Sequence, residues 1–248
     1  MEMNAEAAVV GVRGWWLMAL ALAAAALTFT LPARAQFTPD SQAMIRDTQQ
    51  MSRSAGELTL VWWLPEQYWR ASMANDKAVN PAQAEEILRI IRPYTIIAVV
   101  DGSIGAMGGV TYRSEGYLRG NMSIKDAQGH IYAPLGDDQI TPDARNLLQV
   151  LKPIIANILG PLGQNMYFLV FPAQDASGSF FADPAHKGLL AVDIATKQFQ
   201  YRLPLGSFLP PMYDPATGER FPGNYLYSPF SGKALTLTPP PKVSGAGS

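Results

Sequence analysis

The sequence has no cysteine among its 248 residues. This absence excludes disulfide bonds, thiolate metal sites and a lipid-modified cysteine behind an export signal. Charged residues are also scarce, at 16% against an average of about a quarter in globular proteins. Hydrophobic residues make up 48% of the chain, which argues against a disordered protein. The stability of the chain must therefore come from packing.

Neither sign of charge is in excess, because 19 Lys and Arg face 20 Asp and Glu and leave a formal net charge of −1. Binding of nucleic acid requires a cluster of positive charge. The composition therefore predicts no nucleic-acid partner.

An uncharged apolar run covers residues 15–31, with Arg13 before it and an A-x-A cleavage pattern at residues 33–35. These features are typical of a signal peptide, which we predict over residues 1–35. A periplasmic or secreted location follows. The alternative is an uncleaved membrane anchor, although the run is shorter than the roughly 20 residues that span a bilayer.

The rest of the chain divides by pattern. Residues 36–56 are polar without sustained periodicity and are predicted to be a linker. Residues 57–205 contain strand-like runs in neighbouring pairs and about three helical patterns, which predicts an α+β domain built from antiparallel hairpins. The clearest helices begin at Asn80-Pro81 and Thr141-Pro142. Residues 239–248 are predicted to be a disordered tail.

Residues 206–238 contain two turns of similar sequence, DPATG (214–218) and SPFSG (228–232), and FPGNYLY (221–227) lies between them. This segment resembles a zinc ribbon, a family whose two knuckles have the form C-P-x-C-G. The resemblance implies a small β module in which Gly218 and Gly232 adopt positive φ. The alternative is a pair of ordinary Pro/Gly turns.

The four positions that hold zinc-binding cysteines in that family carry oxygen-bearing side chains here: Asp214, Thr217, Ser228 and Ser231. Zinc prefers thiolate and imidazole, and neutral hydroxyls are poor ligands. We therefore expect a degenerate ribbon without a metal, and no other cofactor is predicted.

Candidate binding residues are few. Trp63 and Trp69 lie in an aromatic-rich stretch that suits a stacking platform, but a core position is the alternative. Adjacent strand residues face opposite sides, so Trp62 and Trp63 cannot share one core. Asp101 opens a glycine-rich loop and His130 is one of only two histidines. The alternative to a binding role is that Asp101 is a structural turn residue and that His130 is a surface histidine.

No phosphate-binding G-x-G-x-x-G motif, G-x-S-x-G elbow or supported S-x-x-K motif is present. Together with the signal-like segment, this favours a non-catalytic exported protein that binds another protein or an envelope component. The alternative is a periplasmic hydrolase or transferase with distant carboxylates and a histidine, for example Asp101, Glu115 and His130.

Overall fold

The computed structural model describes residues 41–54, 56–74 and 76–240. The predicted signal peptide lies outside the described residues, as does the predicted tail from residue 241 onward. None of the helices in the described ranges is long and apolar enough to cross a membrane.

Helices and strands are interspersed along the described chain. The helices are α1 (Ser41–Thr48), α2 (Glu66–Ala74), α3 (Pro81–Ile91), α4 (Glu115–Asn121) and α5 (Pro142–Leu159). The longer strands are β1 (Gln49–Ser54), β2 (Glu57–Leu64), β3 (Tyr94–Ile104), β5 (Met122–Lys125), β7 (Tyr167–Pro172), β8 (Gly188–Ile194) and β9 (Lys197–Leu203). The short strands are β4 (Val110–Tyr112), β6 (Ile131–Tyr132), β10 (Met212–Tyr213) and β11 (Arg220–Phe221).

All strand pairs are antiparallel, which together with the helices confirms the α+β class predicted from the sequence. The larger sheet has the order β1-β2-β3-β4, and β7 pairs with the other end of β3 on the same side as β4. A second sheet has the order β6-β5-β8-β9, and β10 pairs with β11. The strands predicted as hairpins, such as β8 and β9, are neighbours.

Both faces of the larger sheet are buried, which explains the unbroken apolar runs of β2 and β3. Trp62 is fully buried on one face, in a cluster with residues of α1, α2, α3 and α5. Trp63 is 1% exposed on the other face, against residues of the second sheet such as Tyr201. The fold therefore has three layers, with helices, the larger sheet and the second sheet in that order.

Residues 41–54, predicted from their polar sequence to be part of a linker, instead form α1 and β1. Met44 is fully buried in the core, and the Thr48 hydroxyl donates to the Met44 carbonyl at 2.7 Å while accepting from the Trp62 indole at 3.2 Å. β1 pairs with β2 along its full length and forms the edge of the sheet. An edge strand tolerates polar residues, which is why its sequence lacks the usual strand pattern.

The predicted helix starts are confirmed. The Asn80 side chain accepts from the Gln83 N–H at 2.9 Å, and the Gln83 side chain accepts from the Asn80 N–H at 3.1 Å. α5 begins after Thr141 and ends at Gly160, as its sequence predicts. Only part of its apolar face is buried, because Val150, Ile154 and Ile158 are at least half exposed.

Candidate functional site

The two tryptophans predicted as binding residues lie on opposite sides of the larger sheet. Trp63 packs between the two sheets, and Trp69 packs on the helical side with its indole N–H donating to the Leu64 carbonyl at 3.2 Å. Trp63 also lines a cavity of about 150 Å³, together with the charged residues Glu66 and Arg92. Those two charges pair with each other at 2.9 Å, so the cavity offers no unpaired charge from either. Both tryptophans are core residues.

Asp101 is a buried residue that joins the two sheets through Lys197. Its Oδ1 accepts from the Lys197 ammonium at 2.9 Å and from the Thr59 hydroxyl at 2.6 Å. Lys197 also pairs with Glu57 at 3.0 Å. Burial lowers the pKa of Lys197, but the hydrogen bonds and charges of Asp101 and Glu57 outweigh it and raise the pKa overall.

His130 lies at the turn between β5 and β6 in the second sheet. Asp101 lies on β3 of the larger sheet, so the two candidate residues belong to different sheets. Its Nδ1 lies 2.9 Å from Oδ2 of the buried Asp126, which also accepts from the Tyr132 hydroxyl at 3.0 Å. Burial raises the pKa of Asp126, but hydrogen bonds from the His130 ring, the His130 N–H and Tyr132 outweigh it and lower the pKa. Asp126 therefore holds the turn closed.

Two further carboxylates are each paired with a cation: Glu115, named above as a catalytic candidate, and Glu66, which lines the cavity beside Trp63. Glu66 pairs with Arg70 and Arg92, and Glu115 pairs with Arg119, at 2.9 Å in each case.

The two C-terminal turns repeat the same backbone hydrogen bonds. Asp214 N–H donates to the Glu219 carbonyl at 2.9 Å, and Ser228 N–H donates to the Lys233 carbonyl at 2.8 Å. The glycine N–H of each turn donates back to the first residue, at 2.8 Å in one turn and 2.9 Å in the other. Gly218 has φ 73° and Gly232 has φ 68°, which confirms the positive φ expected at these glycines.

The side chains of the two turns repeat as well. Asp214 Oδ1 accepts from the N–H groups of Ala216 and Thr217 at 2.8 and 3.2 Å. Ser228 Oγ accepts from the corresponding N–H groups of the second turn at 3.4 and 3.2 Å. The Thr217 hydroxyl accepts from the Glu219 N–H at 3.2 Å.

Asp214 connects the two turns directly, because the Ser231 hydroxyl donates to its Oδ2 at 3.2 Å. The residue is 3% exposed. The Ala216 N–H holds the pKa of Asp214 below its usual value, with further lowering by Thr217, Ser231 and Ser228 that outweighs the effect of burial. Of the four predicted positions, Asp214, Ser228 and Ser231 are thus brought together, while Thr217 bonds within its own turn.

No group of three or more His, Cys, Asp or Glu side chains suited to a metal ion occurs in the described part of the chain.

The segment that joins the two turns, together with one residue of the second turn, carries the apolar side chains that we call the aromatic patch: Phe221, Tyr225, Leu226, Tyr227 and Phe230. Leu226 is 70% exposed, Tyr227 63% and Phe230 79%. Phe221 is buried, and its ring centroid lies 6.3 Å from that of Tyr225 and 6.1 Å from that of Phe230. The backbone under the patch is fixed, since the Leu235 N–H donates to the Leu226 carbonyl at 2.9 Å.

Sequence reasoning did not select the aromatic patch. Its signal is present, because residues 221–232 contain five large apolar side chains and no charge. Lys197 was missed for a different reason, since its partners Thr59 and Asp101 lie on other strands. Pairs of that kind cannot be read from local spacing.

A scan against known protein-family models, a search of curated proteins and a search of solved structures each found no match for this chain.

Proposed function

We propose that this chain is a non-catalytic, protein-binding component of the cell envelope, exported to the periplasm or secreted, and that it binds its partner through the aromatic patch. Export is inferred from the signal-like segment at residues 1–35. The observation that carries the binding role is the high exposure of three large apolar side chains within five residues of one small module: Leu226, Tyr227 and Phe230.

Clustered exposed apolar side chains commonly mark an interaction surface, whereas single ones are normal, and Tyr and Phe are enriched at protein interfaces. The patch is also rigidly supported. Each flanking turn is closed by repeated hydrogen bonds, and the buried Phe221 ring packs against those of Tyr225 and Phe230. A rigid surface loses little conformational entropy on binding.

The composition of the patch favours a protein partner over a lipid surface. Membrane-surface segments combine apolar residues with Lys or Arg that attract anionic lipid. The segment from Phe221 to Gly232 has no charged residue, and the whole chain has a formal net charge of −1.

We infer a non-catalytic role from the hydrogen-bond partners of the candidate acid–base groups. Asp101 is held by Lys197 and Thr59, and His130 contacts Asp126 in its own turn. Neither of them lines the cavity that contains Trp63. These contacts are structural ones, because the first joins the two sheets and the second closes the turn between β5 and β6.

The proposal is tested by photo-crosslinking in the native host. A photoreactive amino acid replaces Leu226 in the full chain, and the matched control replaces Met107, a fully exposed residue between β3 and β4. We expect a discrete adduct with one host protein from position 226, none from position 107, and less adduct when Phe230→Ser is added.

Equal labelling from both positions, adducts with phospholipid alone, or no adduct at position 226 would contradict the proposal. A purified protein that turns over a substrate, and that loses this activity on a single side-chain change, would contradict its non-catalytic part.

A further inference from the structure

A cavity of about 380 Å³ lies between α1 and the C-terminal module and shares Phe221 with the aromatic patch. Its walls come from α1, from the loop after β9 and from β11 with the residues that follow. The polar residues that line it are Arg46, Asp47, Ser207 and Arg220. Its volume falls within the usual range for small-molecule sites, roughly 300 to 1,000 Å³.

The two arginines at this cavity make no ion pair within the described part of the chain. By contrast, Arg70, Arg92 and Arg119 each pair with a carboxylate at 2.9 Å or less. Arg46 and Arg220 come from segments far apart in sequence, yet both line one cavity. Guanidinium groups suit carboxylate and phosphate oxygens because their N–H donors form a planar fork.

Asp47 is the one acidic side chain among the residues that line this cavity, and it is already engaged. Its Oδ2 accepts from the Ser207 N–H at 2.6 Å, which ties α1 to the loop after β9. Two guanidinium groups and one carboxylate leave a formal charge of +1 at the cavity. The electrostatics therefore favour an anionic ligand.

Ser207 supplies a second and independent observation. The residue is 6% exposed, and its Oγ is a buried polar atom without a hydrogen-bond partner in the described structure. Leaving a buried hydroxyl unpaired is unfavourable. Ser207 lines the cavity, and rotation of its side chain towards the cavity would let a ligand oxygen give this hydroxyl a partner.

Two glycines let the cavity walls approach closely. A Cβ at Gly206 would lie 2.4 Å from Asn224 Oδ1, and a Cβ at Gly223 would lie 2.4 Å from both Leu209 Cβ and the Pro210 carbonyl oxygen. The Gly223 N–H donates to the Gly206 carbonyl at 3.2 Å. The walls are thus held in place by backbone contacts.

From these features we propose that the cavity binds a small organic anion. Arg46, Arg220 and the Ser207 hydroxyl recognise its carboxylate or phosphate group, and Leu209, Phe221 and Pro222 contact its apolar body. The site shares the buried Phe221 with the aromatic patch but uses none of its most exposed members, Leu226, Tyr227 and Phe230, and its test does not depend on the proposed partner.

The test is isothermal titration of the purified full-length protein with 1-naphthoate, 1-naphthyl phosphate, the neutral 1-naphthamide and inorganic phosphate. We expect one anion-binding site per chain and no binding of the amide. The tighter of the two naphthyl anions identifies the head group. Arg46→Gln and Arg220→Gln should each weaken binding about tenfold, as expected for loss of one charged hydrogen bond.

Arg202→Gln is the matched control, because Arg202 is exposed on β9 and does not line the cavity. It should leave the affinity unchanged. Ser207→Ala should weaken anion binding several-fold, yet raise the melting temperature of the ligand-free protein by removing the unpaired hydroxyl. That opposite effect separates a ligand-binding role from a folding role.

The proposal is overturned if neither naphthyl anion binds, or if binding survives both arginine substitutions unchanged. Equal affinity for inorganic phosphate and 1-naphthyl phosphate would overturn the role of the apolar wall.

Discussion

Lys197 is the residue through which charge connects the second sheet to the larger one. It extends from β9 to Asp101 on β3 and to Thr59 and Glu57 on β2. The Lys197 side chain is 19% exposed and that of Asp101 only 5%. Removing one partner of a buried pair leaves the other charge uncompensated, which costs more than the pair contributes when intact.

We predict that Lys197→Met lowers the free energy of unfolding at pH 7 by about 3 kcal/mol, at the low end for a broken buried pair because the ammonium keeps some solvent access. Chemical denaturation followed by tryptophan fluorescence measures it. The exposed Lys187→Met should change little. Adding Asp101→Asn to Lys197→Met should recover part of the loss, since it removes the unpaired charge; no recovery would mean that Lys197 acts through packing alone.

The ion pair of Lys197 and Asp101 also makes the free energy of unfolding depend on pH in the alkaline range. A raised pKa for Lys197 means that its contribution is fully present below the ordinary value of 10.5 and is lost as the pH rises through the higher folded-state value. The stability difference between the wild type and Lys197→Met should therefore shrink above about pH 10.5.

The contribution of Asp214 to stability depends on pH in the opposite sense to that of Lys197. Its pKa is below the ordinary value of 3.8, so its contribution is present above that value and is lost as the pH falls through the folded-state pKa. We predict that Asp214→Asn destabilises the two turns at pH 7, seen as faster hydrogen exchange at residues 212–238. The difference from the wild type should shrink below pH 3.8, whereas a constant difference would show that the carboxylate charge is not responsible.

At the scale of elements, the two C-terminal turns are the part of the sequence with the clearest internal repetition. Residue type alone indicated where they begin and which glycines have positive φ. It did not indicate that Ser231 would donate to Asp214 across the turns, since that bond depends on how the two hairpins face each other.

The junction between these turns and the rest of the fold depends on close backbone approach. We predict that Gly223→Ala lowers the free energy of unfolding by about 2 kcal/mol, as for overpacking, because its Cβ would meet Leu209 and the Pro210 carbonyl at 2.4 Å. Gly116→Ala in α4 is the control, with nothing within 4 Å, and should be neutral or slightly stabilising. Equal effects of the two substitutions, measured by thermal denaturation, would argue against a tight junction.

At the scale of the whole molecule, the sequence predicted most hairpins and both capped helices, because caps, turns and apolar runs are local signals. It did not predict α1 and β1, whose polar residues acquire order from contacts with β2 and the core. The sequence also predicted that Trp62 and Trp63 face opposite sides of their strand. Both are buried because the three-layer arrangement covers both faces of the sheet.

The candidate sites were harder to predict than the fold. The aromatic patch is contiguous in sequence and could have been found from its lack of charge. The cavity could not, because Arg46, Ser207 and Arg220 meet only after α1 packs against the loop that follows β9. Long-range packing of this kind leaves no trace in local residue spacing.

The measurement that tests the central claim most directly is the affinity of the purified protein for the host protein captured at position 226. We predict that Leu226→Ser and Phe230→Ser each raise the dissociation constant at least tenfold while Met107→Ser leaves it unchanged, with all variants melting at the wild-type temperature. An unchanged dissociation constant in both patch variants would contradict a role for the aromatic patch in binding.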